Sequence, residues 1–177
     1  MMTAPNHVGR IQTVTTQLEF KGQTYKNPEE IARLMKEFGC LYERWGVRGS
    51  IQNDADVLTA YEPEIDALSR TRGYVSADLV ALRASTPNLE TICAKFDKEH
   101  HHSDDEVRFV VEGEGVFELD SENPDRDFAR ITTVAGDLIV IPAMRRHAFY
   151  LTSKKNIRCI RLFKDTKGWE AIYELPS

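Results

Sequence analysis

Three of the chain's five histidines, His100, His101 and His102, are consecutive; His147 follows a strand-like apolar run, and His7 stands alone near the start. In extended backbone, side chains two residues apart project to the same face, so His100 and His102 converge while His101 points the other way. Glu106, four residues after His102, can bring a carboxylate to the same point once the chain turns through Ser103, Asp104 and Asp105. His147 comes after GDLIVIPAMRR, where Pro142 ends one strand before the next begins. Three neutral imidazoles and one carboxylate suit a borderline divalent ion such as Fe²⁺, Ni²⁺, Co²⁺, Mn²⁺ or Zn²⁺, whereas calcium and magnesium prefer more oxygen. Four protein ligands would leave an octahedral ion two positions for water or a bidentate substrate, which makes such a site catalytic in kind. A solvated loop or an adventitious, tag-like site is the plainer explanation of a His-rich tract; an internal cluster that opens a strand argues against it.

Strand parity adds a second group. If Glu106 points into a barrel, Arg108 points the same way. A buried arginine needs an anion, either an interior Asp or Glu or an anionic substrate. Parity likewise puts Phe149 on the face of His147, as pocket wall or as plain core, and Arg161 on a face with Cys159 and Phe163. The three cysteines, Cys40, Cys93 and Cys159, are far apart, odd in number and without a C-x-x-C pair, which fits buried thiols in a reducing cytosol.

The elements that must position these residues fall into two halves. Asn27 as cap, Pro28 at the first position, Glu30 three after the cap and the apolar series Ile31, Leu34, Met35, Phe38 predict a helix ending before Gly39. A short strand over 40–47, helices over 55–61 and 63–71, a strand over 74–83 and a helix over 88–96 follow. From Glu106 onward the chain reads as short β runs punctuated by Gly, Pro, Asn and Asp, at the spacing of an antiparallel sandwich or barrel. Within it Gly113-Glu114-Gly115 reads as a tight hairpin and SENPDRD, 121–127, as a turn or excursion. The first ~10 residues carry little pattern.

At 177 residues, 41% hydrophobic and 29% charged with a net charge of −5, this is the make-up of one globular domain with a real core. No basic stripe is present, so nucleic acid and a polybasic membrane surface are excluded as main partners. No apolar run reaches the ~18 residues of a membrane span, and the start lacks the apolar core of an export signal. The expectation is a cytoplasmic protein, neither membrane-bound nor exported.

His102-x3-Glu106-x6-Gly113 preceded by His100 resembles the first cupin motif, and Gly136-x5-Pro142-x4-His147 the second. More narrowly, KFDKEHHHSDDEVRFVVEGEG (95–115) and RLFKDTKGW (161–169) are similar to the acireductone dioxygenases of methionine salvage, as are the segments YEPEIDALSRTRGY and PNLETICAKF. The resemblance implies a mainly β protein with flanking helices, a cupin jelly-roll barrel: an N-terminal segment 1–24, a helix-rich region 25–96, the barrel 97–165 and a C-terminal segment 166–177. It implies an enzyme, monomeric or weakly associating, that oxidises an acireductone with O₂ at one Fe²⁺ or Ni²⁺, the products depending on the metal. His100, His102, Glu106 and His147 would be the metal ligands, Arg108 the residue that stabilises the substrate anion, and Phe96, Phe149, Arg161 and Trp169 pocket residues. The chain departs from the family where Met144 stands in place of a common glycine, where Arg145 and Arg146 make the approach to His147 basic, and at Glu114. Such changes either alter substrate choice, toward a different enediol or diketone, or decorate the surface. The remaining alternative is a non-catalytic metal-binding cupin, against which the full ligand set and Arg108 both count.

Overall fold

A computed structural model describes residues 14–173; His7 and the first ten residues lie outside them. The described chain is mainly β, with nine strands, four helices and a short 3₁₀ turn at Thr166–Trp169. The strands form two antiparallel sheets that share one long member. In chain order they are β1 (Gln17–Phe20), β2 (Gln23–Tyr25), β3 (Leu41–Arg44), β4 (Ser76–Arg83), β5 (Glu106–Asp120), β6 (Phe128–Val134), β7 (Asp137–Ile141), β8 (His147–Leu151) and β9 (Asn156–Phe163). One sheet runs β2-β1-β6-β5-β8 and the other β3-β7-β5-β9-β4. This is the jelly-roll-like, mainly β architecture that the cupin motifs imply.

The capped helix forms as expected. In α1 (Pro28–Glu37) the Asn27 side chain accepts from the amides of Glu29 and Glu30 at 3.0 and 3.1 Å. At its other end Gly39 N–H bonds to Lys36 O and Cys40 N–H to Met35 O, both at 2.9 Å, which ends the helix and launches β3. Ile31, Leu34 and Met35 bury against Leu18, Ile131 and Ile139, each worth about 1.5–3 kcal/mol on the transfer scale. Helices α2 (Asp54–Ala60) and α3 (Glu62–Arg72) place Val57, Tyr61 and Leu68 against Phe109, Leu138 and Ile160 of the other sheet. The helix expected over 88–96 is only Leu89–Cys93 (α4), continued by tight turns in which Phe96 and Asp97 N–H both bond to Cys93 O.

Two further findings depart from the sequence reading. The hairpin β1–β2 has no counterpart in it; the chain turns there at Lys21 and Gly22, both at positive φ. The hairpin expected at Gly113–Gly115 is not made, because β5 runs unbroken for 15 residues. Its first half pairs with β7 and β9 and its second with β6 and β8, so the glycines serve a change of sheet, with a bulge at Val110/Glu112. Gly113 has φ +79°, and a Cβ there would sit 2.1 Å from Asn156 O; one on Gly115 would sit 2.6 Å from Phe149 Cε2.

Gly22 and Gly113 give a comparative test. Gly22 has φ +74° and an added methyl would meet nothing within 4 Å, so Gly22→Ala is expected to lose only about 1–2 kcal/mol, whereas Gly113→Ala adds a backbone collision and should lose about 3 kcal/mol or more. Urea unfolding of the two variants checks this; equal losses would mean that the β5 corner is not sterically closed.

Candidate metal centre

The two sheets set the positions of the candidate residues. Glu106 is the first residue of β5, and His147 is the first of β8, which pairs with the far end of β5. His100 meets His147 in an isolated bridge, with N–H···O bonds of 2.9 Å in both directions. His102 stands two residues on. The ligand atoms of His100, His102, Glu106 and His147 lie within 4.8 Å of one another, and among the described residues this is the one cluster of its kind. All four are buried, at 1–3% exposure. His101 is also buried, but it bridges to Ile172 on the other side and stays outside the cluster, as parity expects.

Each imidazole of the cluster is oriented by the backbone. His100 Nδ1 donates to Lys98 O at 2.7 Å, His102 Nδ1 to Glu170 O at 3.0 Å and His147 Nδ1 to Arg145 O at 2.8 Å. A carbonyl can only accept, so the proton is placed on Nδ1 and the Nε2 lone pairs are left for the centre. His147 Nε2 and His102 Nε2 approach Glu106 Oε2 to 2.7 and 2.9 Å, while His100 Nε2 and His102 Nε2 have no hydrogen-bond partner although buried. Orphaned lone pairs converging on a carboxylate are what a divalent cation would satisfy, so the residues fit a metal.

The electrostatics of the site agree with that arrangement. Burial pushes the His100 pKa down to about 4, and the neighbouring His147 adds to the shift, so His100 is neutral near pH 7. Burial opposes charge on His102 as well, but Glu106 beside it reverses the direction and raises its pKa. Burial also opposes ionised Glu106; Arg108, His147 and His102 together overcome this and hold the carboxyl well below the usual range.

Arg108 points with Glu106, as parity predicts, and its Nε donates to Glu106 Oε1 at 2.9 Å. Among the described residues no acceptor is hydrogen-bonded to its terminal nitrogens. It borders a small apolar cavity, together with Phe96, Phe149, Arg161, Cys159, Val80, Leu82, Ile92 and Ile157. The Phe96 ring lies 5.9 Å from that of His100, so the cavity adjoins the cluster. Trp169 does not line the cavity; its ring lies 4.9 Å from the Arg108 guanidinium, 5.3 Å from that of Arg161 and 5.9 Å from the His102 ring.

Sequence reasoning missed the partners of these residues. Asp78, directly across from Arg161 in the β4–β9 register, binds it through both oxygens, at 2.7 and 2.5 Å. Asp104 and Asp105, which read as turn residues, are buried anchors: Asp104 accepts from Lys164 and Asp165 N–H, and Asp105 from Tyr74 Oη, Lys164 Nζ and Ala143 N–H. Nothing local in the sequence distinguishes them from solvated turn carboxylates. Met144 is 58% exposed at φ +68°, the conformation for which a glycine is suited. Neither Arg145 nor Arg146 lines the cavity; they pair with Glu122 and Asp120.

The same geometry has relatives. A model of the ARD/ARD' family matches residues 17–171. A protein of Sulfurihydrogenibium sp. (strain YO3AOP1) named acireductone dioxygenase is 43% identical over 163 residues, 86% of this chain and 89% of its own length. One of the same name from Bacillus cereus is 37% identical over 175 residues, 93% of this chain and 98% of its own. Among solved structures, acireductone dioxygenase from Bacillus anthracis with a cadmium ion in its active centre superposes with a TM-score of 0.82 at 35% identity, covering 91% of this chain and 99% of that one. A match of this extent in both sequence and structure means that the chain belongs to the acireductone dioxygenase (ARD/ARD') family.

Proposed function

We propose that the protein is a metal-dependent dioxygenase that cleaves acireductone, 1,2-dihydroxy-3-oxo-5-methylthiopentene, with O₂ in methionine salvage. The observation that carries this reading is the convergence of four buried ligand atoms beside an apolar cavity and Arg108, in a member of that family. In this reading His100, His102, Glu106 and His147 hold one divalent ion, Fe²⁺ or Ni²⁺, with Co²⁺ or Mn²⁺ also suited to the donor set. The bound ion supplies Lewis acidity and a two-point template for the enediol oxygens.

The chain's own residues supply the rest. The terminal nitrogens of Arg108 offset charge on the enediolate, while its Nε stays tied to Glu106. Phe96 and Phe149, with the aliphatic side chains around them, take the methylthio tail and keep water from one face of the substrate. Trp169 lies against Arg108 and keeps its guanidinium plane in place, and Arg161, neutralised by Asp78, closes the cavity edge. By the family resemblance, Fe²⁺ would give 4-methylthio-2-oxobutanoate and formate, and Ni²⁺ methylthiopropanoate, formate and carbon monoxide. The three cysteines are free and the Cys159 thiol is pushed up to about 12 by burial, which suits the reducing cytoplasm where we place the reaction. No helix of the described residues is long and apolar enough to cross a membrane.

Two experiments test the reading. Metal-free protein reloaded with Fe²⁺ or Ni²⁺ is mixed anaerobically with acireductone, then with O₂, while substrate absorbance and products are followed; decay no faster than the spontaneous rate with either metal would sink it. In the second, metal content and turnover are measured on variants. His102→Ala and Glu106→Ala should lose most bound metal, whereas Arg108→Ala should keep it and lose ~10²- to 10³-fold in turnover. Full metal retention by both ligand variants would refute the ligand assignment, and near-normal turnover by Arg108→Ala would refute its role.

A further inference from the structure

We propose that Asp120 is a positioning residue for the metal centre, holding the Arg145-Arg146 segment so that the His147 imidazole is aimed at Glu106. The proposal rests on the reading of His147 as a ligand. Asp120 ends β5 and its side chain has no exposure to solvent. A carboxylate is kept in such a place only when its atoms are bonded. Its Oδ1 accepts from Glu122 N–H at 2.8 Å, and its Oδ2 meets Arg146 Nη2 at 2.8 Å and Arg126 Nη2 at 3.1 Å. Its main-chain N–H donates to Arg146 O at 3.0 Å, and its carbonyl accepts from Arg145 Nη1 at 3.2 Å. Three of these five contacts go to the two residues immediately before His147.

Those two residues set the ligand. Arg145 O is the acceptor for His147 Nδ1 at 2.8 Å, so a shift of that carbonyl rotates the ring or frees its tautomer. The clasp also reaches the other ligand strand. Glu99, the residue before His100, receives Arg126 Nη2 on both oxygens at 2.8 Å and lies 4.0 Å from Arg146 Nη1. Inside this clasp, His100 and His147 are joined by their reciprocal main-chain bonds. Arg126, Arg145 and Arg146 are offset here by Glu99, Asp120 and Glu122, so the clasp is held by charge-assisted bonds and acts on the centre through the position of the Arg145-Arg146 chain.

Chelator-stripped full-length protein, titrated with Ni²⁺ against a chromophoric chelator and with Co²⁺ by its d–d spectrum, tests this. Wild type should bind one ion and His147→Ala should not. Asp120→Asn and Arg146→Gln should each weaken Ni²⁺ binding ~10-fold and shift the Co²⁺ spectrum, while Arg146→Lys, which keeps the cation, should stay close to wild type. Urea unfolding of the metal-free variants runs alongside, because loss of a buried carboxylate lowers stability whatever its role. Folded Asp120→Asn and Arg146→Gln with wild-type Ni²⁺ affinity and Co²⁺ spectrum would overturn the proposal, leaving the clasp as structural only. If Asp120→Asn does not fold, Arg146→Gln, whose side chain is 22% exposed, decides alone. Wild type that binds no Ni²⁺ or Co²⁺ would overturn the ligand assignment and this proposal together.

Discussion

Glu106 is ionised, buried, and approached by two imidazole nitrogens at 2.7 and 2.9 Å, an arrangement that costs several kcal/mol unless positive charge meets it. Arg108 meets one carboxylate oxygen. The other faces nitrogens whose ring partners are already committed to carbonyls, so it meets either an added proton or a cation. The three carbonyls that impose this come from Lys98, Arg145 and Glu170, in three separate segments. The fold therefore has to hold four stretches of chain in mutual register around a point that repels itself when empty.

The long strand β5 is how it does so. By crossing between sheets it borders β7 and β9 at the Glu106 end and β8 at the end where Leu119 opposes His147. The turn from His102 to Glu106 is then fastened from below: Asp104 caps the chain after β9, and Asp105 ties β9's end, Tyr74 and the loop before His147 together. Buried carboxylates bonded to backbone amides resist displacement, so His100, His102, Glu106 and His147 stand on a frame fixed by the fold itself.

Parity carried much of this in the sequence. The division of His100 to His102 into two site residues and an outlier, and the shared direction of Glu106 and Arg108, follow from the two-residue repeat of extended chain and needed no tertiary information. The α1 cap was legible for the same reason, since Asn27, Pro28 and Glu30 act locally. What failed depends on partners distant in sequence. Gly113-Glu114-Gly115 has the composition of a hairpin, and only the pairing of each half of β5 with different strands makes it a corner. Lys21-Gly22 is a weaker turn signal than Asn-Gly, so β1 and β2 escaped. Arg145 and Arg146 read as a basic approach to the pocket because nothing local places Asp120, 25 residues before Arg145, beneath them.

Charge balance sharpens the reading of the pocket. Glu106 and Arg108 cancel, and the site imidazole of His100, with its pKa near 4, adds nothing at neutral pH. Arg161 is cancelled by Asp78, and the remaining cavity walls are apolar. On the proposed ligand set, a divalent ion would then leave a local excess of two positive charges beside the cavity, which an enediolate that has lost both protons would match. A singly charged or neutral ligand would leave that excess uncompensated at low dielectric. The chain's overall charge of −5 has no part in this selection; it follows from the ion pairs that the fold closes around the cavity.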